Sequence, residues 1–190
     1  MTAVELWVAR HGETEWSVSG RHTGTTDLPL TERGRDAARA LGTRLAGERF
    51  DLVLTSPLAR ARETCRLAGF GDDAVIDPDL HEWDYGEYEG VTTDEIRETR
   101  PGWILFDDGC PGGEVAAQVG ERADRVIERV RALGGGRAIA FAHGHVLRVL
   151  GARWVGLPPQ DGARLLLGTA TVSVLGWDRE TPAIERWNGG

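Results

Sequence analysis

Lysine is missing altogether: all 22 basic residues of this 190-residue chain are arginine. With abundant alanine and glycine, this reads as the codon bias of a GC-rich genome, so any one arginine is weaker evidence for bidentate anion binding than it would be elsewhere. Positive charge is also in deficit. The 22 basic and 30 acidic side chains leave a formal net charge of −8, which argues against nucleic acid or an anionic membrane as the main partner. An acidic chain that handles an anion must gather its cations locally. Only two cysteines occur; Cys65 and Cys110 match neither a metal-ligand spacing nor a recognisable nucleophile setting and read as free thiols. No apolar run is long enough to span a membrane, and Met1-Thr2-Ala3-Val4-Glu5 lacks the basic start of a secretion signal, so a cytoplasmic location is expected. Repeats and low-complexity tracts are absent too. A hydrophobic content of 41% over 190 residues fits a single domain, residues 1–190, with a substantial core.

What is present is organised around Val8-Ala9-Arg10-His11-Gly12-Glu13-Thr14. The apolar run Val4–Ala9 ends in arginine, histidine and glycine, so a buried strand delivers two polar side chains to its carboxyl end, where open α/β sheets bind ligands. A guanidinium beside an imidazole, with a glycine that admits close backbone approach, has the composition of a phosphate site: His11 as nucleophile, Arg10 as clamp. Alone, such a histidine is more often structural.

Residues 15–30 read as a loop, long for a connection. Thr31 then N-caps a helix with Ala37, Ala38, Leu41 and Leu45 at helical spacing, and Phe50–Thr55 is the next strand; the order predicts parallel pairing through a right-handed crossover. A helix from Pro57 to about Leu67 puts Arg60 and Thr64 on one face, and an arginine aimed back at the helix start makes an anion site. A short strand is expected at Ala74–Asp77. Residues 80–90 mix acids, aromatics and glycines without period and read as a shaped loop, in which a partly dry carboxylate can do general-acid work. Helical patterns cover Thr92–Arg100 and Glu114–Leu133, separated by a polar loop; the second carries Val115, Val119, Ala123, Val126, Ile127 and Val130 on its apolar side and stops at Gly134-Gly135-Gly136. The strand Ala138–Ala142 is apolar throughout, as a central parallel strand should be. Thr171–Trp177 and Ala183–Trp187 add late strands, with an antiparallel edge hairpin as one arrangement.

The central strand delivers His143-Gly144-His145 before a further helix. Two strands thus end in His-Gly. Neighbouring parallel strands present their carboxyl ends on one edge, so His11 and His143 can face one point together with Arg10 and Arg60. The expected fold is α/β, a three-layer α/β/α sandwich with a mostly parallel central sheet.

Taken together, Arg10-His11-Gly12-Glu13-Thr14-Glu15-Trp16, Arg21-His22-Thr23-Gly24, Leu30-Thr31-Glu32-Arg33-Gly34, Thr55-Ser56-Pro57-Leu58-Ala59-Arg60-Ala61, Leu80-His81-Glu82 through Glu89-Gly90, and Ala142-His143-Gly144-His145 resemble the histidine phosphatase superfamily, the phosphoglycerate mutase-like proteins. The segment 82–90 is most similar to a branch of acid phosphatases and sugar-bisphosphatase-like enzymes. The resemblance implies His11 as nucleophile forming a phosphohistidine, Arg10, Arg60 and His143 around the non-bridging oxygens, and Glu82 as general acid and then base. It implies no cofactor and no metal, with guanidinium and imidazole supplying the positive charge, and a phosphorylated small molecule as partner. Ser17, Thr23, the Gly24 N–H, Tyr85 and Gly144 are the implied substrate contacts, although Ser17 stands where the family often has asparagine. His22 and His145 either assist with phosphate or fill the wall, the wall being favoured.

Two other readings compete. A phosphoglycerate mutase must return the phosphoryl group to bound glycerate; the chain has no room for the insertion that brings mutases further arginines, and Thr93 stands where they have a lysine. A non-catalytic phospho-ligand-binding module would need the cations but neither nucleophile nor acid. A homodimer is a candidate assembly, with Trp154 either on a dimer face or lining the core.

Overall fold

The apolar stretches that end in polar residues become the parallel part of one sheet. The computed structural model describes residues 4–190. Its elements run β1 (Glu5–Arg10), α1 (Glu15–Ser19), α2 (Glu32–Arg44), β2 (Leu52–Thr55), α3 (Ala59–Leu67), β3 (Ala74–Ile76), α4 (Thr93–Thr99), α5 (Leu105–Asp108), α6 (Ala116–Arg131), β4 (Arg137–Ala142), α7 (Gly144–Trp154), β5 (Val172–Asp178) and β6 (Thr181–Gly189). Short 3-10 turns occupy Pro78–Leu80, Gly86–Tyr88 and Pro159–Arg164. Met1–Ala3, part of the stretch read as lacking a secretion signal, lie outside the described residues.

Six strands form the sheet, in the order β3-β2-β4-β1-β5-β6. The first four are mutually parallel; β5 runs antiparallel to β1, and β6 pairs antiparallel with β5 as an edge hairpin. Successive side chains of a strand point to opposite faces. On one face Leu6, Val8, Leu54, Ala138 and Ala140 meet α6 and α7, through Val119, Ala123, Val126, Val146, Leu147 and Leu150. On the other, Trp7, Ala9, Val53, Ile139 and Phe141 meet Leu41 of α2, the adjacent Leu45, and Cys65 of α3. A sheet buried on both faces between helices is the three-layer α/β/α sandwich expected.

The register of β1 on β4 places the site. Arg10 lies opposite Ala142, and the His11 N–H donates to the Ala142 carbonyl at 2.9 Å. His11 and His143 therefore leave the sheet at the same height, on its carboxyl edge.

Several local expectations are corrected. The stretch 15–30 contains the one-turn α1, built by a capping box in which Thr14 and Ser17 satisfy each other's backbone N–H; such a turn is made by local hydrogen bonds and leaves no apolar period to read. A further turn, α5, lies in the loop after α4. Helix α3 starts at Ala59 rather than Pro57, because Leu58 is still extended and the Asp27 carboxylate accepts the Ala59 N–H at 2.8 Å. The anion position at that helix start is thus taken by the protein's own acid. Val115 is not part of the α6 core face: it is 45% exposed, just before the helix begins. Trp154 is buried, its indole N–H donating to the Gly176 carbonyl at 3.0 Å, so it lines the core and marks no dimer face.

The chain leaving His11 packs backbone to backbone against the first turn of α2. A Cβ on Gly34 would lie 2.2 Å from the Glu13 carbonyl oxygen, and one on Gly12 would lie 2.4 Å from the Gly34 oxygen. Glycine to alanine inside a helix ordinarily gains up to about 1 kcal/mol. At Gly34 the sign should reverse: Gly34→Ala should destabilise by about 1–3 kcal/mol as an overpacked contact, lowering the melting midpoint by roughly 2–4 °C per kcal/mol. Thermal denaturation checks this, and a raised midpoint would show that the contact yields freely.

Candidate active site

Beyond β1 the chain turns so that His11 is almost wholly buried. Its Nδ1 lies 2.7 Å from the Gly12 carbonyl oxygen. A carbonyl only accepts, so Nδ1 carries the proton and Nε2 keeps its lone pair. Burial, and then the charges of Arg10 and Arg60, hold the His11 pKa well below the usual histidine value, so the ring is neutral. The Gly12 N–H donates to Thr64 Oγ1 at 3.0 Å, tying this turn to α3.

His143 is fully buried, with its ring centroid 5.2 Å from that of His11. Its Nδ1 accepts from Arg60 Nε at 3.1 Å. Nε2 is therefore the protonated nitrogen and donates to Ser56 Oγ at 2.7 Å. Burial, Arg60 and His11 hold this ring neutral as well.

Arg10 presents the main electrostatic feature. One Nη donates to the Leu167 carbonyl, while its Nε is buried with no hydrogen-bond partner, alone in this among the buried side-chain nitrogens and oxygens of the described residues. Gly144 makes room for it: a Cβ there would stand 3.3 Å from the guanidinium carbon. Burial lowers the Arg10 pKa, with Glu82 and Tyr85 acting against that shift.

Glu82 lies at the start of α7. Its Oε1 accepts from the Trp83 and Val146 N–H groups, each at 2.9 Å, and its Oε2 from the His145 N–H at 3.0 Å. The carboxylate orientation is thus set by backbone. Tyr85 is buried, which pushes its phenol pKa well above the usual value, and its oxygen lies 2.6 Å from His145 Nδ1. His22 Nδ1 lies 2.6 Å from the Val91 carbonyl oxygen, so His22 shares the tautomer of His11.

These groups enclose a cavity of about 220 Å³. Of the residues singled out in the sequence, Arg10, His11, Ser17, Thr23, Glu82, Tyr85 and Gly144 line it. Three do not. Arg60 is fully buried behind the wall, donating to His143 and to the carbonyls of Thr23, Gly24 and Thr26. His143 sits behind the wall with it, both nitrogens engaged. The Gly24 N–H points away, donating to the Glu89 carboxylate at 3.0 Å. Ser17 reaches the cavity, but its hydroxyl donates to the Thr14 carbonyl at 2.9 Å.

His22 and His145 line the cavity, as does Thr93, which the sequence placed where mutases have a lysine; so do Trp16, Arg21 and Arg148, which sequence reasoning did not place there. Arg148 follows Gly144 by one helical turn, a periodicity that was available in the sequence. Its guanidinium lies over the Phe106 ring, 4.7 Å from the centroid, and donates to the Gly162 and Ala163 carbonyls. Cys65 and Cys110 are pushed up to about 12 by burial, so both remain thiols. Among the described residues no group of three or more His, Cys, Asp or Glu is placed to hold a metal ion, and no helix is long and apolar enough to cross a membrane.

Comparison with known proteins finds relatives along nearly the whole chain. The chain is 42% identical over 176 residues to an acid phosphatase of Mycobacterium tuberculosis, covering 91% of this chain and 86% of that protein. It is 40% identical over 184 residues to a sedoheptulose 1,7-bisphosphatase of Saccharomyces cerevisiae, covering 80% of this chain and 68% of that one. A solved structure of a functionally characterised open reading frame from Mycobacterium tuberculosis superposes with a TM-score of 0.93 at 38% identity, over 97% of both chains. The sequence profile of the histidine phosphatase superfamily (branch 1) matches residues 6–189, and with two adjacent strands each ending in His-Gly at one cavity edge, the chain belongs to that superfamily.

Proposed function

We propose that this chain hydrolyses phosphomonoesters of small molecules by transferring the phosphoryl group to His11 and then to water. The observation that carries this is the pairing of an unprotonated His11 Nε2 with the unpartnered Arg10 Nε at one cavity: a nucleophile with its proton fixed on the far side, beside a cation short of one acceptor. A buried donor without a partner costs about 1–3 kcal/mol, and a phosphate oxygen supplies what it lacks.

In the first half-reaction the Nε2 lone pair forms a bond to phosphorus while the ester P–O bond breaks. Glu82 delivers its proton to the departing oxygen, so that an alcohol leaves rather than an alkoxide. In the second, Glu82 takes a proton from water, the water oxygen bonds to phosphorus, and the P–N bond breaks, returning neutral His11 and inorganic phosphate. Arg10 meets the phosphoryl oxygens, while Arg60 and His143 act from behind the wall, holding the Thr23 loop and adding a fixed positive charge. These donors are oriented in advance, and the guanidinium and imidazole groups carry the charge stabilisation without a metal.

Hydrolysis rather than mutase chemistry is favoured by Thr93, an uncharged residue that lines the cavity and stands where mutases have a lysine. Each charge-assisted partner of that kind is worth about 1.5–3 kcal/mol.

With p-nitrophenyl phosphate, His11→Ala should lose more than about 10³-fold in turnover while keeping the parent circular dichroism spectrum; a variant as fast as the parent would remove His11 as nucleophile. Glu82→Gln should slow alkyl phosphates by about 10²–10⁴-fold and the p-nitrophenyl ester much less, because nitrophenolate leaves without a proton. Equal slowing of both would take Glu82 out of the acid role. Phosphate release should be unchanged after prolonged treatment with EDTA, and lost activity restored by a divalent cation would overturn the metal-free reading.

A further inference from the structure

Three neutral side chains that line the cavity, His22, Tyr85 and His145, take no part in the phosphoryl transfer described above. His22 donates its Nδ1–H to the Val91 carbonyl, and its Nε2 has no partner in the protein, yet it is not sealed away, since Arg10 Nε is the one fully buried side-chain nitrogen or oxygen left unpaired among the described residues. The His22 ring lines the cavity, so Nε2 offers it a fixed acceptor. Burial lowers the His22 pKa and holds it neutral, against the Val91 carbonyl and the more distant Glu82 and Glu89 carboxylates.

Beside it, Tyr85 Oη and His145 Nδ1 share one hydrogen bond. Two neutral groups can arrange that bond in two ways. If the phenol donates, His145 carries its proton on Nε2; if Nδ1 donates, the phenol proton is free to turn. In either case the pair keeps one donor that its own hydrogen bond does not use. The His22 ring packs 4.8 Å from Tyr85 and 6.3 Å from His145, centroid to centroid, and all three residues line the one cavity.

A hydroxyl is the group that donates to one neighbour and accepts from another. An anionic oxygen can only accept, and would meet the His22 lone pair unfavourably. Resting on the phosphatase reading, we infer that His22 is a specificity residue: its Nε2 accepts from a hydroxyl on the alcohol portion of the substrate, the Tyr85–His145 pair donates to that hydroxyl, and the site selects polyhydroxylated phosphomonoesters over those with a bare or carboxylated chain.

The test compares kcat/KM for glycerol 3-phosphate, n-propyl phosphate and 3-phosphoglycerate. The parent should favour glycerol 3-phosphate over n-propyl phosphate by at least about ten-fold, since a site built to pair a hydroxyl rejects the analogue lacking it, and over 3-phosphoglycerate as well, which keeps the C2 hydroxyl but ends in a carboxylate with no proton to give His22. His22→Phe should narrow the glycerol-to-propyl ratio by about ten-fold, the loss falling on the hydroxylated ester. His22→Gln, whose amide oxygen can occupy the Nε2 position, should recover most of it. A parent ratio near one, an unchanged ratio in His22→Phe, or equal losses on both alkyl esters in a folded His22→Phe would each overturn the assignment while leaving the phosphatase reading intact. Failure of the parent to release phosphate from any of the three or from p-nitrophenyl phosphate would remove both.

Discussion

The site depends on one buried cation. Arg60 is fully enclosed, and its guanidinium makes four hydrogen bonds, to His143 and to the carbonyls of Thr23, Gly24 and Thr26. Removing a guanidinium from water costs several kcal/mol. Four charge-assisted bonds at about 1.5–3 kcal/mol each offset that, provided that all four partners stay in place. The arrangement is therefore cooperative: α3, the end of β4 and the 23–26 segment are held together or not at all. Glu89 grips the same segment from its other side, accepting from the N–H groups of Gly24 and Thr26, so its carbonyls and amides are both committed before any ligand arrives.

That clamp also fixes proton positions. Because Arg60 can only donate, His143 must leave Nδ1 unprotonated and carry its one N–H on Nε2, donated to Ser56. Because the Gly12 carbonyl can only accept, His11 must do the reverse. Two imidazoles 5.2 Å apart are thereby held in opposite tautomers, both neutral, beside two arginines. The low proton affinity of His11 follows from burial first and from those cations second. It keeps the Nε2 lone pair available where an isolated histidine would be partly protonated near neutral pH.

The parts legible in the sequence were those written in apolar periodicity. Strands β1, β2 and β4, the helices between them and the two His-Gly endings follow from short hydrophobic runs that stop at polar residues, and parallel topology then brings His11 and His143 to one edge. What escaped was local or non-local hydrogen bonding without a periodic trace. The α1 turn comes from Thr14 and Ser17 alone. The start of α3 is decided by Asp27, 32 residues away. Arg60 was singled out in the sequence, yet most of the atoms it holds are backbone carbonyls, which have no sequence signature, so its retreat behind the wall was not foreseeable. Arg148 differs: its spacing from Gly144 was readable, but nothing in an exposed-looking arginine distinguished it from the other 21 of the 22.

The charge balance explains how an acidic chain can hold an anion. Near the cavity the protein spends its own carboxylates on backbone donors: Asp27 at the start of α3, Glu82 on the first turn of α7, Glu89 on the 23–26 segment. Each would otherwise leave an N–H group to attract phosphate at a wrong position. With these satisfied, the one buried side-chain donor still unpaired among the described residues is Arg10 Nε, on a residue that lines the same cavity as His11. Selectivity for where an anion sits thus comes partly from committing nearby backbone donors to the protein's own acids, which is compatible with a net charge of −8 because those acids serve to single out the Arg10 position.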